Sequence, residues 1–143
     1  MTVDFRETVI VAAPLPVISR IVQAVEGWPA WTETVSTVDR AGTGPLTVGE
    51  TVVIKQPKLP PATFTVTRTD ATGFEWTSRS PGIRTVAGHW VTERGDGTCE
   101  VELTLSFAGP LAPVTTLFYR GLIRRYIGME AAGLKRAAES AGE

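Results

Sequence analysis

From Val35 to Ala108 the chain repeats one pattern, in which short runs rich in β-forming residues are each interrupted by turn residues. The runs are Val35 to Arg40, Thr51 to Gln56, Ala62 to Asp70, Gly73 to Arg79, Ile83 to Glu93 and Cys99 to Ala108. The breaks fall at Gly42, Gly44, Pro45 and Gly49, at Pro57, Pro60 and Pro61, at Ala71 to Gly73, at Pro81 and Gly82, and at Gly95 to Gly97. Parallel neighbours need a long crossover, and these gaps are too short for one, so the pattern predicts an antiparallel meander. Its clearest alternation is in the last run. Val101, Leu103, Leu105 and Phe107 share one face, and Glu100, Glu102, Thr104 and Ser106 share the other. One side of the sheet is therefore apolar and must be covered.

The flanking segments supply the cover. Thr2 to Val11 alternates with Val3, Phe5, Val9 and Val11 on one side, as a seventh strand should. Pro14 suits the first turn of a helix, and Ile18, Ile21, Val22 and Val25 then repeat at helical spacing up to Gly27. In GWPAWTETV, Pro29 opens one more short helical turn, with Trp28 and Trp31 three apart on one side as an anchor. The chain closes with a long amphipathic helix from about Pro113 to Ala141. Its apolar stripe of Phe118, Leu122, Ile123, Ile127 and Leu134 carries Tyr119, Tyr126 and Glu130 near its middle. A carboxylate in a dry core is costly unless partnered or neutralised, so this face is expected to form the wall of a cavity. The far side carries Arg120, Arg124, Lys135 and Arg136, with Arg125 at the boundary, and reads as solvated. Gly121 and Gly128 also fall there, marking either close packing or tolerated flexibility.

Composition narrows the function classes. The 143 residues fit one domain, 1–143, and a formal charge of -1 gives no general reason to bind nucleic acid or an anionic membrane. The apolar cluster Val9 to Ala13 lacks a basic flank and is interrupted by Pro14 and Pro16, and no run approaches the ~20 apolar residues of a membrane span. No stable membrane insertion is expected. Cys99 is the single cysteine, read as a small strand residue, and with no disulfide possible within the chain a cytoplasmic location is expected. One His and one Cys do not make a usual zinc site, and no Gly-rich phosphate loop or nucleophile motif is present, so neither metal nor cofactor is expected.

The order β, α, α, six β, α, together with the Ala13-Pro14 entry to helix one, GWPAWTETV, PLTVGETVVIKQPKLPPATFTV, FEWTSRSPG, the histidine of AGHWV, and YIGMEAAGLKRAAE, resembles the helix-grip proteins of the START-like (SRPBCC) superfamily. The resemblance is to the branch labelled polyketide cyclase/dehydrase and lipid transport, and it covers nearly the whole chain. It implies an α+β helix-grip fold, in which a curved antiparallel seven-stranded sheet wraps around a long C-terminal helix. It also implies a deep cavity between the two, with its mouth among the strand loops and the end of the short second helix. The superfamily includes carriers, receptors and cyclases, so fold alone does not choose among them.

Under that arrangement the residues expected to touch a ligand are Trp31, Phe64, Trp76, His89, Leu103, Leu105, Tyr119, Ile123, Tyr126 and Glu130. The loop Lys55 to Pro61 is a stiff lip, with Leu59 covering the core. His89 is the sole histidine and the first candidate for acid or base work. One strand parity places it inward with Thr85, Ala87 and Val91, and the other places Val86, Gly88 and Trp90 inward; similar proteins favour the first. Glu130 is the second catalytic candidate, with a hydrogen bond to a backbone group at the sheet rim or pairing to Arg79 or Arg84 as its structural alternatives. The leading expectation is binding or transport of an apolar small molecule such as a lipid, isoprenoid or polyketide-like compound. A cyclase or dehydratase using His89 or Glu130 is the second. The third is a regulatory or partner-binding domain, of unknown protein partner, that exposes Trp28, Trp31 and the arginines of the last helix.

Overall fold

The structure, a computed structural model, describes residues 2–141. Its strands are β1 (Thr2–Val11), β2 (Thr37–Arg40), β3 (Thr51–Lys55), β4 (Ala62–Asp70), β5 (Gly73–Ser80), β6 (Ile83–Glu93) and β7 (Cys99–Ala108). They form one antiparallel sheet in the order β1-β7-β6-β5-β4-β3-β2. Helix α1 (Leu15–Gln23) follows β1, and helix α2 (Ala112–Ala141) follows β7 and lies across the concave face. This is the expected helix-grip arrangement, and four of the seven strands carry the expected limits.

The departures have local causes. Helix one does not reach Gly27: Ala24 leaves helical geometry at φ -80, ψ 66, and a 3-10 helix takes Val25–Ala30, with Pro29 inside it rather than opening a turn. The tighter turn lets both Val25 and Trp28 bury. The second strand begins at Thr37 rather than Val35, because Val35 is buried in the core and only the Ser36 N–H joins Lys55 beforehand.

Register sets which side chains look inward. One cross-sheet row is Val9, Val101, Val91; the next is Glu7, Leu103, His89, Phe74; then Phe5, Leu105, Ala87, Trp76, Val66; then Val3, Phe107, Thr85, Ser78, Phe64, Val52. A bulge between Val66 and Arg68 shifts parity, so Thr69 rather than Arg68 follows the inward side. There the Gln23 amide donates to Thr69 Oγ1 at 3.0 Å and to the Asp70 and Gly73 carbonyls at 3.2 Å, tying α1 to the turn.

The core sits at one end. Val11, Val101, Ile18, Val22 and Leu134 are essentially inaccessible, and α2 packs there mainly on β1, with Ala131 and Ala138 permitting close approach. Glu139 accepts from the Ala12 N–H at 2.8 Å, and Lys135 donates to the Ile10 carbonyl at 2.8 Å. Gly133 lies under the Trp31 carbonyl so closely that a Cβ would clash with it. At the other side Arg40 is buried and reaches Glu26 at 2.9 Å, Glu50, and the Pro45 carbonyl at 3.2 Å, fastening the 3-10 helix to β2 and β3.

Gly121 and Gly128, expected to signal either packing or flexibility, have open space where a Cβ would go. The two kinds of helical glycine should therefore separate in denaturant unfolding. Gly121→Ala is expected to stabilise the chain by about 0.5–1 kcal/mol through helix propensity. Gly133→Ala is expected to destabilise it by about 1–3 kcal/mol, because Trp31 or α2 must move.

Candidate functional site

Burial along the concave face is graded. Toward Val11 and Cys99 the inward rows are sealed: His89, Phe74, Trp76, Leu103 and Val91 are all buried. Toward Thr2 and Ala108 the inward side chains Val3, Phe107, Thr85, Ser78, Phe64 and Leu105 are only half-buried, and so are Tyr119, Leu122, Ile123 and Tyr126 on α2. Apolar groups that face the interior and still meet solvent define an opening between the sheet and the N-terminal half of α2. The helix packs chiefly on β1 and next on β7, while α1 meets β5 and β6 and the 3-10 helix meets β2.

The sealed end is an aromatic box. Phe74 stacks on His89 with ring centroids 4.5 Å apart, Trp28 lies 5.1 Å from His89, and Trp76 meets it edge-on at 5.8 Å. Phe64 stacks on Trp76 at 4.9 Å and leads from the box to the opening. Burial in this apolar shell pushes the His89 imidazole down to about 3, and the backbone of Phe74 opposes that only partly. Its Nδ1 is buried without a hydrogen-bond partner. His89 faces inward, as the first parity required, and at neutral pH it is an uncharged polar group among aromatic rings.

Glu130 has a different surrounding. Desolvation raises its carboxyl to about 7, against a hydrogen bond from Thr34. Thr34 Oγ1 donates to Glu130 Oε1 at 3.2 Å, and Thr32 Oγ1 lies 2.9 Å from Thr34 Oγ1. With the single Thr34 hydroxyl proton given to Glu130, the Thr34 oxygen accepts from the Thr32 hydroxyl. The expected pairing of Glu130 with Arg79 or Arg84 is not made; both arginines are exposed at the β5–β6 hairpin. Thr32 and Thr34 were missed in the sequence, where only the T-x-T spacing of a presumed loop hinted at them.

Tyr126 Oη donates to the Pro57 carbonyl at 2.6 Å, joining α2 to the β3–β4 loop, where Lys55 also binds the Gln56 and Leu59 carbonyls. That loop is the expected lip, with Leu59 half-buried. Tyr119 stands at the rim, its ring 5.2 Å from Phe118. Two expectations fail here. Phe118 is 82% exposed and belongs to the outer side of α2, not to the inward stripe. Trp28 is only 3% exposed, which removes it from any partner-binding surface. Trp31 is half-buried against Trp28 at 5.8 Å and lines an outer groove of about 760 Å³ with Met129, Gly133 and Arg136. A second groove of about 680 Å³ lies between α1 and the β2–β3 loop. Neither groove contains His89, Phe64 or Trp76 or an unpartnered buried polar atom, so the concave face is the candidate site. Among the described residues no group is arranged to hold a metal ion.

The two perturbed groups make opposite demands on pH. Between 4.5 and about 7 the unfolded chain has released the Glu130 proton that the folded chain keeps, so stability from this group falls as pH rises through that window. For His89 the unfolded chain binds a proton near 6.5 and the folded chain only near 3, so stability falls as pH drops between them. Glu130→Gln should therefore gain on the wild type from pH 5 to pH 8, by about 2 kcal/mol. His89→Phe should remove the acid-side loss. Calorimetric Tm–pH profiles check both, and profiles parallel to the wild type would contradict the assignment.

Comparison with known proteins places this geometry. A Thalictrum flavum norcoclaurine synthase point mutant, in complex with a transition-state analogue, has TM-score 0.78 at 12% identity, covering 100% of this chain and 98% of that one. The ZhuI aromatase/cyclase from Streptomyces sp. R1128 has TM-score 0.73 at 13% identity, covering 99% and 94%. Ara h 8.0201 has TM-score 0.70 at 11% identity, covering 98% and 99%. At these identities the likeness is one of fold. Comparison with curated protein sequences finds no match. Residues 2–139 match the family described as polyketide cyclase / dehydrase and lipid transport, and the chain belongs to that family.

Proposed function

We propose that this protein binds an apolar small molecule, of lipid, isoprenoid or polyketide-like class, between the concave sheet and the N-terminal half of α2. The observation that carries this reading is the graded burial of the concave face: inward apolar side chains are sealed at one end and left half-exposed at the other. Covering such surface with a ligand is favourable by about 25 cal/mol per Å². Phe64, Leu105 and Ile123 supply contact area, His89 offers one buried polar nitrogen, and Tyr119 and Tyr126 set the rim.

One observation favours a second reading, cyclisation or dehydration of a reactive chain. Glu130 holds a proton up to about pH 7 and lies on a directed chain of threonine hydroxyls, which suits a group that gives and takes a proton near neutrality. His89 is a poor base at that pH. The norcoclaurine synthase and the aromatase/cyclase use this fold as enzymes, so the architecture accommodates chemistry.

Native mass spectrometry of protein purified from its own host is expected to reveal a retained apolar compound. Leu105→Arg and Ile123→Arg should each lower its retention at least tenfold without loss of the fold by circular dichroism. A chain that is always empty, and that no apolar probe quenches through Trp76, would count against binding. Turnover of a polyketone that is lost in Glu130→Gln would move the assignment to the enzyme.

A further inference from the structure

The first third of α2 is apolar on its outer side as well as its inner one. Leu111, just before the helix, is 49% exposed, and Val114, Leu117 and Phe118 are 62%, 72% and 82% exposed. Leu111, Val114 and Phe118 are spaced three and then four apart and form one line on the helix surface. Leu117 lies beside that line, and Gly82, against Leu111, borders it closely.

The charge along this segment has one sign. From Gly109 to Met129 the chain contains Arg120, Arg124 and Arg125 and no Asp or Glu, although the chain as a whole has a formal charge of -1. All three arginines are exposed. Lys58, also exposed, lies next to Pro57, whose carbonyl receives the Tyr126 hydroxyl, so a fourth cation stands beside the middle of α2. Projecting Leu, Val and Phe side chains bordered by arginines are what an interfacial helix uses to lie on an anionic bilayer. A second copy of the chain would bring two arginine-bearing segments together and is disfavoured by like charge.

We infer that the outer face of the first half of α2, with the tip of the β3–β4 loop, docks reversibly on an anionic lipid surface. The apolar side chains enter the boundary between headgroups and acyl chains, and the arginines and Lys58 stay among the headgroups. Among the described residues no helix is long and apolar enough to cross a membrane, so the contact is peripheral. It involves the same half of α2 that borders the opening over the concave face. The inference rests on exposure and charge, not on the identity of any bound molecule.

Co-sedimentation of the full chain with ligand-free vesicles tests it, using phosphatidylcholine alone or with roughly one part in four phosphatidylserine. Binding is expected to be at least tenfold stronger with phosphatidylserine and to weaken steeply as salt shortens the screening length from about 10 Å to about 3 Å. Leu117→Ser with Phe118→Ser should lose that binding, as should Arg124→Glu with Arg125→Glu. Val48→Ser, which changes a 64% exposed valine outside this patch, should bind like the wild type. All variants should keep the wild-type Tm, since the changed side chains are exposed. No binding to either vesicle, or binding that both double variants retain, overturns the inference. So does retention on an acidic polypeptide but not on vesicles, or a dimer in solution that Phe118→Ser abolishes. Because the vesicles carry no ligand, these results are independent of whether the concave face holds one.

Discussion

The close seating of the C-terminal half of α2 on β1 and on the backbone at Trp31 is the contact from which the rest of the structure follows. Small residues make it possible: Ala131, Gly133 and Ala138 bring the helix near enough for Leu134 to bury completely. Near its middle the same helix meets the β3–β4 loop through the Tyr126 hydroxyl, which donates to the Pro57 carbonyl, and its first turn is held by buried Ala112 and Thr116. Between these contacts the inward side chains pass from a sealed core to a half-exposed inner wall.

Two ionisable groups sit in the dry part of this arrangement and are handled differently. His89 is surrounded by rings and left neutral, its cost falling on the acid side. Glu130 is met by a hydroxyl and left protonated to about pH 7, its cost falling on the alkaline side. Arg40 shows the third solution, in which a buried charge keeps its proton because two carboxylates and a carbonyl surround it. The first two lower stability on opposite sides of neutrality, and the third does not.

Strand alternation was strong enough in the sequence to place the sheet, and parity in Ile83–Glu93 placed His89 inward once the concave face was known. The helix was harder. Periodicity finds apolar positions but does not say which of two apolar sides is covered, and with Leu117 and Phe118 both outside, the inner stripe was drawn one residue too wide. The tight turn at Val25–Ala30 turned Trp28 from an apparent surface anchor into a core residue, since neither α-helical spacing nor alternation describes a 3-10 segment. The partners of Glu130, the environment of Arg40 and the Val66/Arg68 bulge all depend on contacts between distant segments. No local pattern carries them. Gly133 was hidden among the small residues of AAGLKRAA, which share helix propensity arguments but not neighbours.

The sheet is open, and β1 and β2 are its two edges. Edge strands present unpaired backbone groups that invite pairing with another molecule. At β2 the hazard is limited by length, since the strand has only 4 residues. At the 10-residue β1 it is limited by the same side chains that fasten α2, because Lys135 takes the Ile10 carbonyl and Glu139 takes the Ala12 N–H just beyond the strand. Docking of the helix thus also closes the last backbone groups of this border.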